Sequence, residues 1–324
     1  MHRAPDDLDG AARALVDEAL RRGSDDNLTA QVVVVDTLPA PEAGEGLRAG
    51  AALPPPSLLE PRATLDGFTI VRKLHGSARS HLYLAVDDET GARVAPKTLS
   101  VDQHADPAAI ERFLLEEWIA RRIDSVHVLK PYVPARPRRH LYVTLEYVEG
   151  RTLAQWLADH PRPDVEAVRG LVEQVARGLQ AFHRLEMLHR DLRPENLMID
   201  GTGTVKIVDF GATRVAGLVE MVGADGDVPG SVQYTAPECF LGEAATFRSD
   251  LFSLGVITYQ LLSGRLPYGT DVAKARTRPA QRRLQYQSVL ADDRETPAWL
   301  DGVLRKAVAV DPLRRHESLS EFVH

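Results

Sequence analysis

Residues 189–211 constrain the possible fold of this chain more than any other stretch of its 324 residues. Two short apolar runs, 197–199 and 205–208, flank the sequence Asp200-Gly201-Thr202-Gly203. This pattern predicts two strands joined by a tight turn, because glycine and aspartate favour the backbone angles of short hairpin loops. The outer ends of the two strands are therefore expected to lie close together.

Polar side chains fall at those outer ends: Asp191 and Asn196 precede the first strand, and Asp209 follows the second. Phosphoryl transfer needs a carboxylate to orient the acceptor hydroxyl and oxygen ligands for the Mg²⁺ that neutralises the phosphates. Asp191 suits the first role, and Asn196 and Asp209 suit the second. For any one of these residues a surface hairpin rich in Asp and Asn is an alternative explanation, but it does not account for all of them in this order.

The same stretch reads His-Arg-Asp-Leu-Arg-Pro-Glu-Asn at residues 189–196 and Asp-Phe-Gly at residues 209–211. It closely resembles the catalytic loop and the metal-binding signature of protein kinases. The closest likeness is to bacterial serine/threonine kinases that are fused to phosphatases. The resemblance implies that Asp191 is the catalytic base, that ATP and Mg²⁺ are the cofactors, and that the acceptor is a serine or threonine of a protein substrate.

The resemblance extends over residues 64–324 and implies an α+β, bilobal protein-kinase-like fold. Residues 64–146 are expected to form a small antiparallel sheet with one helix, and residues 150–324 a larger, mainly helical lobe. The residue patterns agree with this division, because strand-like apolar runs between residues 68 and 99 precede a region of helical period.

Val94-Ala95-Pro96-Lys97 resembles the third strand of the family, in which the lysine binds the α- and β-phosphates of ATP. The resemblance also implies that Lys97 pairs with Glu116, with the neighbouring Glu117 as the alternative. Asp106-Pro107 predicts the start of a helix that carries both glutamates. Glu116 falls on the inward stripe of this helix, where an unpaired carboxylate would be costly.

Departures from the family pattern bear on activity. In the family, a glycine-rich loop lets backbone amides approach the ATP phosphates. Here His75, Ser77 and Ser80 stand where that loop carries glycines, and the stretch has a glycine only at Gly76. Serine costs conformational freedom wherever a positive φ is needed.

Two further residues depart from the family pattern. Pro96 lacks an N–H and is expected only at a sheet edge or on an unpaired side. Arg193 replaces a lysine that steadies the γ-phosphate. A pseudokinase or nucleotide-binding scaffold with impaired transfer is therefore the alternative function.

The resemblance also implies an adenine pocket. Leu145 falls at its back, and the backbone of Glu146 and Val148 is expected to bond the adenine edge. The complete set of predicted ATP-binding residues is Leu74, His75, Gly76, Ser77, Ser80, Leu82, Ala95, Lys97, Leu145, Glu146, Val148, Leu197 and Asp209.

Further charged residues are expected to support the fold. By resemblance to the family, Glu238 pairs with Arg315, and Asp250 braces the catalytic loop from a buried helix. Residues 133–140 form a basic loop, which we expect to be solvated.

Residues 1–36 carry a second, shorter resemblance. A helical pattern from residue 8 is followed by Gly23-Ser24-Asp25-Asp26-Asn27-Leu28-Thr29 and by the strand-like run 31–35. This order resembles the C-terminal end of metal-dependent protein phosphatases, in which the residue matching Asp26 binds metal. A chance turn before a strand is the alternative. One carboxylate cannot hold a dinuclear centre, so no phosphatase activity is expected from this chain.

Residues 37–63 are rich in proline, glycine and alanine and show no period, which predicts a linker. The chain starts late in the phosphatase pattern and stops inside the expected last kinase helix, so we expect a fragment at both ends. The full-length protein could then carry a phosphatase domain before Met1 and a membrane anchor beyond His324.

The composition narrows the partners and the compartment. A formal net charge of −7 and a pI near 5.9 give no basic stripe of the kind that nucleic acids require. The single cysteine, Cys239, permits no internal disulfide and favours a reducing, cytoplasmic compartment. No apolar run is long enough to predict a transmembrane segment, and the N-terminus lacks a secretory signal pattern.

Overall fold

The structure, a computed structural model, describes residues 7–24, 28–31, 50–215, 232–292 and 296–324. Two compact units divide the chain, Met1–Glu45 and Gly46–His324. In the first unit, helix α1 (Leu8–Arg21) begins after Asp7, whose side chain accepts a hydrogen bond from the backbone N–H of Gly10. The helix predicted from residue 8 is therefore present, whereas Asp26 and nearly all of the strand predicted at 31–35 lie outside the described residues.

The second unit contains a small lobe built on a five-stranded antiparallel sheet whose strands follow one another in chain order. They are β1 (Thr64–Leu65), β2 (Phe68–Gly76), β3 (Ser80–Asp87), β4 (Arg93–Leu99) and β5 (Val143–Glu146). Helix α2 (Pro107–Arg122) follows β4, and the Asp106 side chain caps it by accepting a hydrogen bond from the backbone N–H of Ala108. The predicted antiparallel sheet and its helix are confirmed.

Pro96 lies in β4, which is an interior strand with β3 on one side and β5 on the other. On the β5 side it stays in register opposite Thr144. On the β3 side the paired positions stop at Lys97 and resume at Val94, so the ladder is interrupted opposite the proline. Pro96 therefore has the expected unpaired side, which faces β3, although β4 is not an edge strand. The interruption of the ladder on that side accommodates the missing N–H.

The prediction of a linker at residues 37–63 needs correction for residues 50–63, the part of this segment that the structure describes. Leu59 is 8% exposed and belongs to the same buried cluster as sheet residues such as Phe68. The carbonyl of Pro54 accepts a hydrogen bond of 2.9 Å from the backbone N–H of Leu141. A buried leucine and a backbone hydrogen bond hold this segment against the sheet, so the small lobe begins before its first strand.

The large lobe is mainly helical, as predicted. Its helices are α3 (Leu153–Asp159), α4 (Val165–His183), α5 (Phe247–Ser263), α6 (Arg278–Gln281), α7 (Ala298–Ala307) and α8 (Leu319–Val323). Its short strands are β6 (Gly150–Thr152), β7 (Met187–Leu188), β8 (Leu197–Asp200), β9 (Val205–Ile207) and β10 (Arg214–Val215). Strands β8 and β9 form the predicted hairpin, β6 pairs with the other side of β8, and β10 pairs with β7. The predicted bilobal α+β fold is confirmed.

Helix α5 lies inside the large lobe because it is apolar on nearly all sides. Residues 249–259 and 261–263 of this helix are all buried. No helix in the described part of the chain is long and apolar enough to cross a membrane. Asp250 lies among the buried residues, so its carboxylate requires partners.

The expectation that the basic loop at residues 133–140 is solvated is wrong for two of its arginines. The side chains of Arg136 and Arg138 are 16% and 28% exposed. Arg136 pairs with Asp87 at 3.0 Å, and Arg138 pairs with Glu117 at 2.6 Å. Charge alone predicts exposure, but buried carboxylates from other elements supply partners that the sequence pattern does not reveal.

Candidate active site

Lys97 on β4 is the centre of a charged cluster. Its Nζ lies 2.5 Å from Glu116 Oε2 on α2 and 3.6 Å from Asp209 Oδ1. The Lys97 and Glu116 side chains are 14% and 12% exposed. Burial opposes the charge of the lysine, but the Glu116 and Asp209 carboxylates outweigh it and raise the pKa of Lys97 above its ordinary value. The structure thus brings three of the predicted site residues into contact.

Asp209 follows β9 with a φ of +93°, a conformation that residues other than glycine rarely adopt. Its Oδ1 accepts a hydrogen bond of 3.1 Å from the backbone N–H of Gly211. Burial opposes ionisation of this carboxyl, but Lys97 and the Gly211 amide lower the pKa of Asp209 below its ordinary value. Asp209 is therefore ionised at neutral pH, as a carboxylate metal ligand must be.

Asp191 and Asn196 are joined directly. Asn196 Nδ2 donates to the backbone carbonyl of Asp191 at 2.9 Å and to Asp191 Oδ2 at 3.1 Å. These bonds fix the orientation of the Asp191 carboxylate. The backbone carbonyl of Asn196 accepts a hydrogen bond of 2.8 Å from the N–H of Val208, which precedes Asp209. The two ends of the predicted hairpin therefore do lie close together.

The donor set of this site fits Mg²⁺. Within the described ranges, no group of three or more His, Cys, Asp or Glu side chains could hold a metal ion. Mg²⁺ is usually bound by one or two carboxylates together with substrate phosphates and water, without a complete protein cage. One carboxylate on Asp209 and the amide oxygen of Asn196 match that pattern.

Arg193 lies between Asp191 and Asn196 in sequence, immediately before a short 3₁₀ helix (Pro194–Asn196). Its Nε is 3.7 Å from Glu195 Oε2, and 36% of its side chain is exposed. The Arg193 side chain, within residues 189–196, is therefore partly exposed.

Asp250 connects the buried helix α5 to the backbone of the catalytic loop. Its carboxylate accepts hydrogen bonds from the N–H groups of His189 at 3.0 Å and Arg190 at 2.9 Å. Arg190 has a φ of +67°, so the bond from Asp250 helps to hold a conformation that is otherwise unfavourable. Burial opposes ionisation, but His183, 2.9 Å away, lowers the pKa of Asp250. The expected bracing contact is present, and His183 is a partner that sequence reasoning missed.

Glu238 and Arg315 form a buried, bidentate pair. Arg315 Nη1 and Nη2 lie 2.8 and 2.6 Å from the two carboxylate oxygens of Glu238. The arginine side chain is fully buried, and its remaining donors bond backbone carbonyls. Ser249 Oγ, which sequence reasoning missed, donates to Glu238 Oε1 at 2.7 Å. Since every donor has an acceptor, this pair can stabilise the large lobe despite its burial.

The predicted adenine-binding residues are mostly apolar and buried. Ala95 lies opposite Leu145 in the β4–β5 register. Leu145, Val148 and Leu197 are buried, and Leu74 and Leu82 are half-buried. The side chain of Glu146 is engaged by Lys206 Nζ at 2.8 Å and by the N–H of Lys130 at 2.9 Å. Glu146 therefore anchors the end of β5 through its side chain.

A serine hydroxyl closes the turn between β2 and β3. Ser77 Oγ accepts hydrogen bonds from the backbone N–H groups of Arg79 at 3.2 Å and Ser80 at 3.1 Å. Residues 75–80 contain no positive φ, so glycine is not needed there for backbone conformation. The expected conformational cost of serine is thus absent. Instead, the Ser77 hydroxyl occupies N–H groups that a phosphate oxygen could otherwise bind.

Fold and site together define the class of protein. The family model described as protein kinase domain matches residues 68–323, and this chain belongs to that family. The serine/threonine-protein kinase PrkC of Bacillus subtilis is 31% identical over 258 residues, which are 79% of this chain and 39% of PrkC. The serine/threonine-protein kinase PknA of Corynebacterium glutamicum is 36% identical over 203 residues, 61% of this chain and 43% of PknA. The chain thus spans less than half the length of these two relatives.

Among solved structures, the kinase domain of Mycobacterium tuberculosis PknI matches with a TM-score of 0.61 and 29% sequence identity. The match covers 82% of this chain and 97% of that domain. The protein kinase fold predicted from the sequence is therefore confirmed.

Substitution of Gly211 by alanine should displace the Glu116 carboxylate that Lys97 contacts. A Cβ atom at this position would lie 2.9 Å from Glu116 Oε1 and 3.3 Å from Asp209 Oδ1. We expect kcat/KM for ATP to fall about 10- to 100-fold, the size of effect that a small misplacement of reacting groups produces. The matched control is Gly201→Ala, where a Cβ meets nothing within 4 Å. Equal activity of the two variants would contradict the crowding of Glu116.

Removal of the Ser77 hydroxyl should strengthen nucleotide binding. Ser77→Ala and Ser77→Gly both release the amides of Arg79 and Ser80, and we expect the KM for ATP to fall about 2- to 10-fold, the value of one net hydrogen bond. Ala78→Gly adds backbone freedom to the same turn without removing the hydroxyl, and serves as the control. A KM that is unchanged in both Ser77 variants, or lowered only by Ala78→Gly, would mean that the hydroxyl does not compete with phosphate.

Proposed function

We propose that this chain is a protein serine/threonine kinase that transfers the γ-phosphate of Mg·ATP to hydroxyl groups of protein substrates. The observation that carries the proposal is the cluster of Lys97, Glu116 and Asp209. A buried lysine held by carboxylates offers a fixed positive charge for phosphate oxygens, and a neighbouring carboxylate offers an oxygen ligand for Mg²⁺. The two relatives named above are serine/threonine-protein kinases, which supports the proposed acceptor.

Each residue has a defined task in this proposal. Lys97 binds the α- and β-phosphates, and Glu116 holds the lysine in place. Asn196 orients the carboxylate of Asp191, which accepts the proton of the attacking hydroxyl. Asp209 and Asn196 hold Mg²⁺, which neutralises the phosphate oxygens when it is bound.

The remaining predicted residues position the nucleotide and the loop. Leu145, Val148 and Leu197 supply buried apolar surface for the adenine ring. Arg193 provides positive charge for the γ-phosphate, although its planar guanidinium does not reproduce the geometry of a lysine ammonium. Asp250 keeps the catalytic-loop backbone in place through its two backbone hydrogen bonds.

A nucleotide-binding scaffold with impaired transfer is the second candidate function. It is favoured by the Ser77 hydroxyl, which occupies two amides of the loop that would contact the phosphates. This feature weakens binding by about one hydrogen bond and removes no group that takes part in transfer. The named relatives are kinases, which supports the enzyme over the scaffold.

We further propose that residues 1–36 are the C-terminal part of a metal-dependent phosphatase domain, so that such a domain in the same full-length chain is a partner of the kinase. Helix α1 in its described position before the Gly23–Thr29 sequence supports this order. No phosphatase activity is expected from this segment, because Asp26 alone cannot hold two metal ions.

The proposed compartment is the reducing cytoplasm, with a membrane tether beyond His324 as the alternative arrangement. The only cysteine in the sequence, Cys239, is free and half-buried, so nothing in the chain depends on an oxidising environment. The proposed partners are protein substrates, and the net charge of −7 does not favour nucleic acid.

Asp191→Asn tests the proposed function most specifically, because the substitution keeps the shape of the side chain and removes its basicity. We expect kcat to fall by at least about 100-fold, while the dissociation constant of Mg·ATP stays within about twofold. Asp159→Asn, at an exposed carboxylate on α3, is the control for loss of one negative charge. If Asp191→Asn retains transfer, or loses binding and rate by the same factor, the role assigned to Asp191 is wrong.

A further inference from the structure

Helix α2 carries adjacent glutamates that bond to different parts of the small lobe. Glu116 contacts Lys97, whereas Glu117 is 6% exposed and has both oxygens engaged. Arg121 Nη2 lies 2.5 Å from Glu117 Oε1, and Arg138 Nη1 lies 2.6 Å from Glu117 Oε2. Successive residues of a helix point about 100° apart, so the direction of Glu117 also fixes the direction of Glu116.

Arg138 connects this helix to the sheet. The same Nη1 atom that bonds Glu117 donates to the backbone carbonyl of Tyr142, just before β5, at 2.7 Å. Arg121 lies on the same helix as Glu117 and cannot make such a connection. Among the described contacts of Glu117, the one to Arg138 is therefore the contact that restrains rotation of α2 relative to β5.

The loop that carries Arg138 is itself firmly held. Arg136, two residues earlier, lies over the ring of Phe68 at 4.4 Å and pairs with the buried Asp87 at 3.0 Å. Arg136 also donates to the backbone carbonyl of Gly67 at 2.9 Å. Since the loop is attached to β2 and β3, it provides a rigid support from which Arg138 can hold the helix.

We propose that Arg138 is a positioning residue for phosphoryl transfer: by holding Glu117, it sets the rotation of α2 at which Glu116 meets Lys97. This role rests on the proposed kinase function. Without Arg138, the buried Glu117 carboxylate keeps only Arg121, which lies on the same helix and moves with it, so this carboxylate no longer ties the helix to the sheet. Rotation of the helix toward solvent would carry Glu116 away from Lys97.

The test compares Arg138→Met with Arg139→Met in the full chain. Methionine keeps an apolar stem and removes the charge. Arg139 is exposed and is bonded through its backbone N–H, 2.6 Å from Asp66 Oδ2, so its substitution changes the loop charge equally without touching Glu117. We expect kcat/KM for Mg·ATP to fall about 3- to 30-fold in Arg138→Met and to stay within about twofold in Arg139→Met. Arg138→Lys, which keeps one charged donor, should recover part of the loss.

A double-mutant cycle with Glu116→Gln separates positioning from a general structural role. If Arg138 acts through Glu116, adding Arg138→Met to Glu116→Gln should change kcat/KM by less than about twofold, because the ion pair that it positions is already removed. A general loss of stability would instead lower activity by the same factor in both backgrounds. The same cycle can be measured without turnover. For this, calorimetry gives the dissociation constant of a non-hydrolysable ATP analogue with Mg²⁺ for the unsubstituted chain, the two single variants and the double variant.

Each result decides between these roles. Wild-type activity in Arg138→Met, equal losses in Arg138→Met and Arg139→Met, or equal losses in both Glu116 backgrounds would overturn the positioning role. Absence of transfer by the unsubstituted chain would overturn the kinase function itself, and the cycle of dissociation constants would still decide the role of Arg138.

Discussion

The buried ion pair between Lys97 and Glu116, with Asp209 beside it, is the interaction on which the rest of the site depends. It joins β4, helix α2 and the segment after β9, which are distant in sequence. Removal of one partner of a buried pair costs about 3–5 kcal/mol, because the remaining charge is left without compensation. The contacts of Lys97 therefore form only when β4, α2 and the segment after β9 are correctly placed relative to one another. Gly211 leaves room for the pair, and Arg138 connects the helix of Glu116 to the segment before β5 by bonding both Glu117 and the Tyr142 carbonyl.

The sequence was sufficient wherever a local pattern determines the outcome. The hairpin of β8 and β9 followed from two apolar runs on either side of a turn sequence, and Asp106-Pro107 placed the start of α2 correctly. Resemblance to the kinase family then selected Glu116 over Glu117, although 19 positions separate it from Lys97 in the chain. Order and spacing of motifs carry this information because the family fold fixes which elements meet.

The sequence was insufficient where tertiary contacts give a residue its role. Residues 50–63 look like a linker by composition, yet Leu59 enters the core of the small lobe. The charges of Arg136 and Arg138 suggested solvent exposure, because nothing near them in sequence reveals the carboxylates that they meet. The hydrogen bonds of Ser77 could not be predicted, since the bonds of a side chain within a turn depend on geometry that a motif does not specify.

The proposed kinase function requires the Lys97 cluster for transfer of phosphate from ATP to serine or threonine. The most direct measurement is the incorporation of γ-labelled phosphate into casein, followed by identification of the labelled amino acid, for the unsubstituted chain, Lys97→Met and Lys274→Met. Lys274 is an exposed lysine far along the chain and controls for loss of one positive charge. We expect phosphoserine or phosphothreonine with the unsubstituted chain and Lys274→Met, and at least about 100-fold less label with Lys97→Met. Undiminished labelling by Lys97→Met, or label found on tyrosine alone, would refute the proposed serine/threonine kinase function of this cluster.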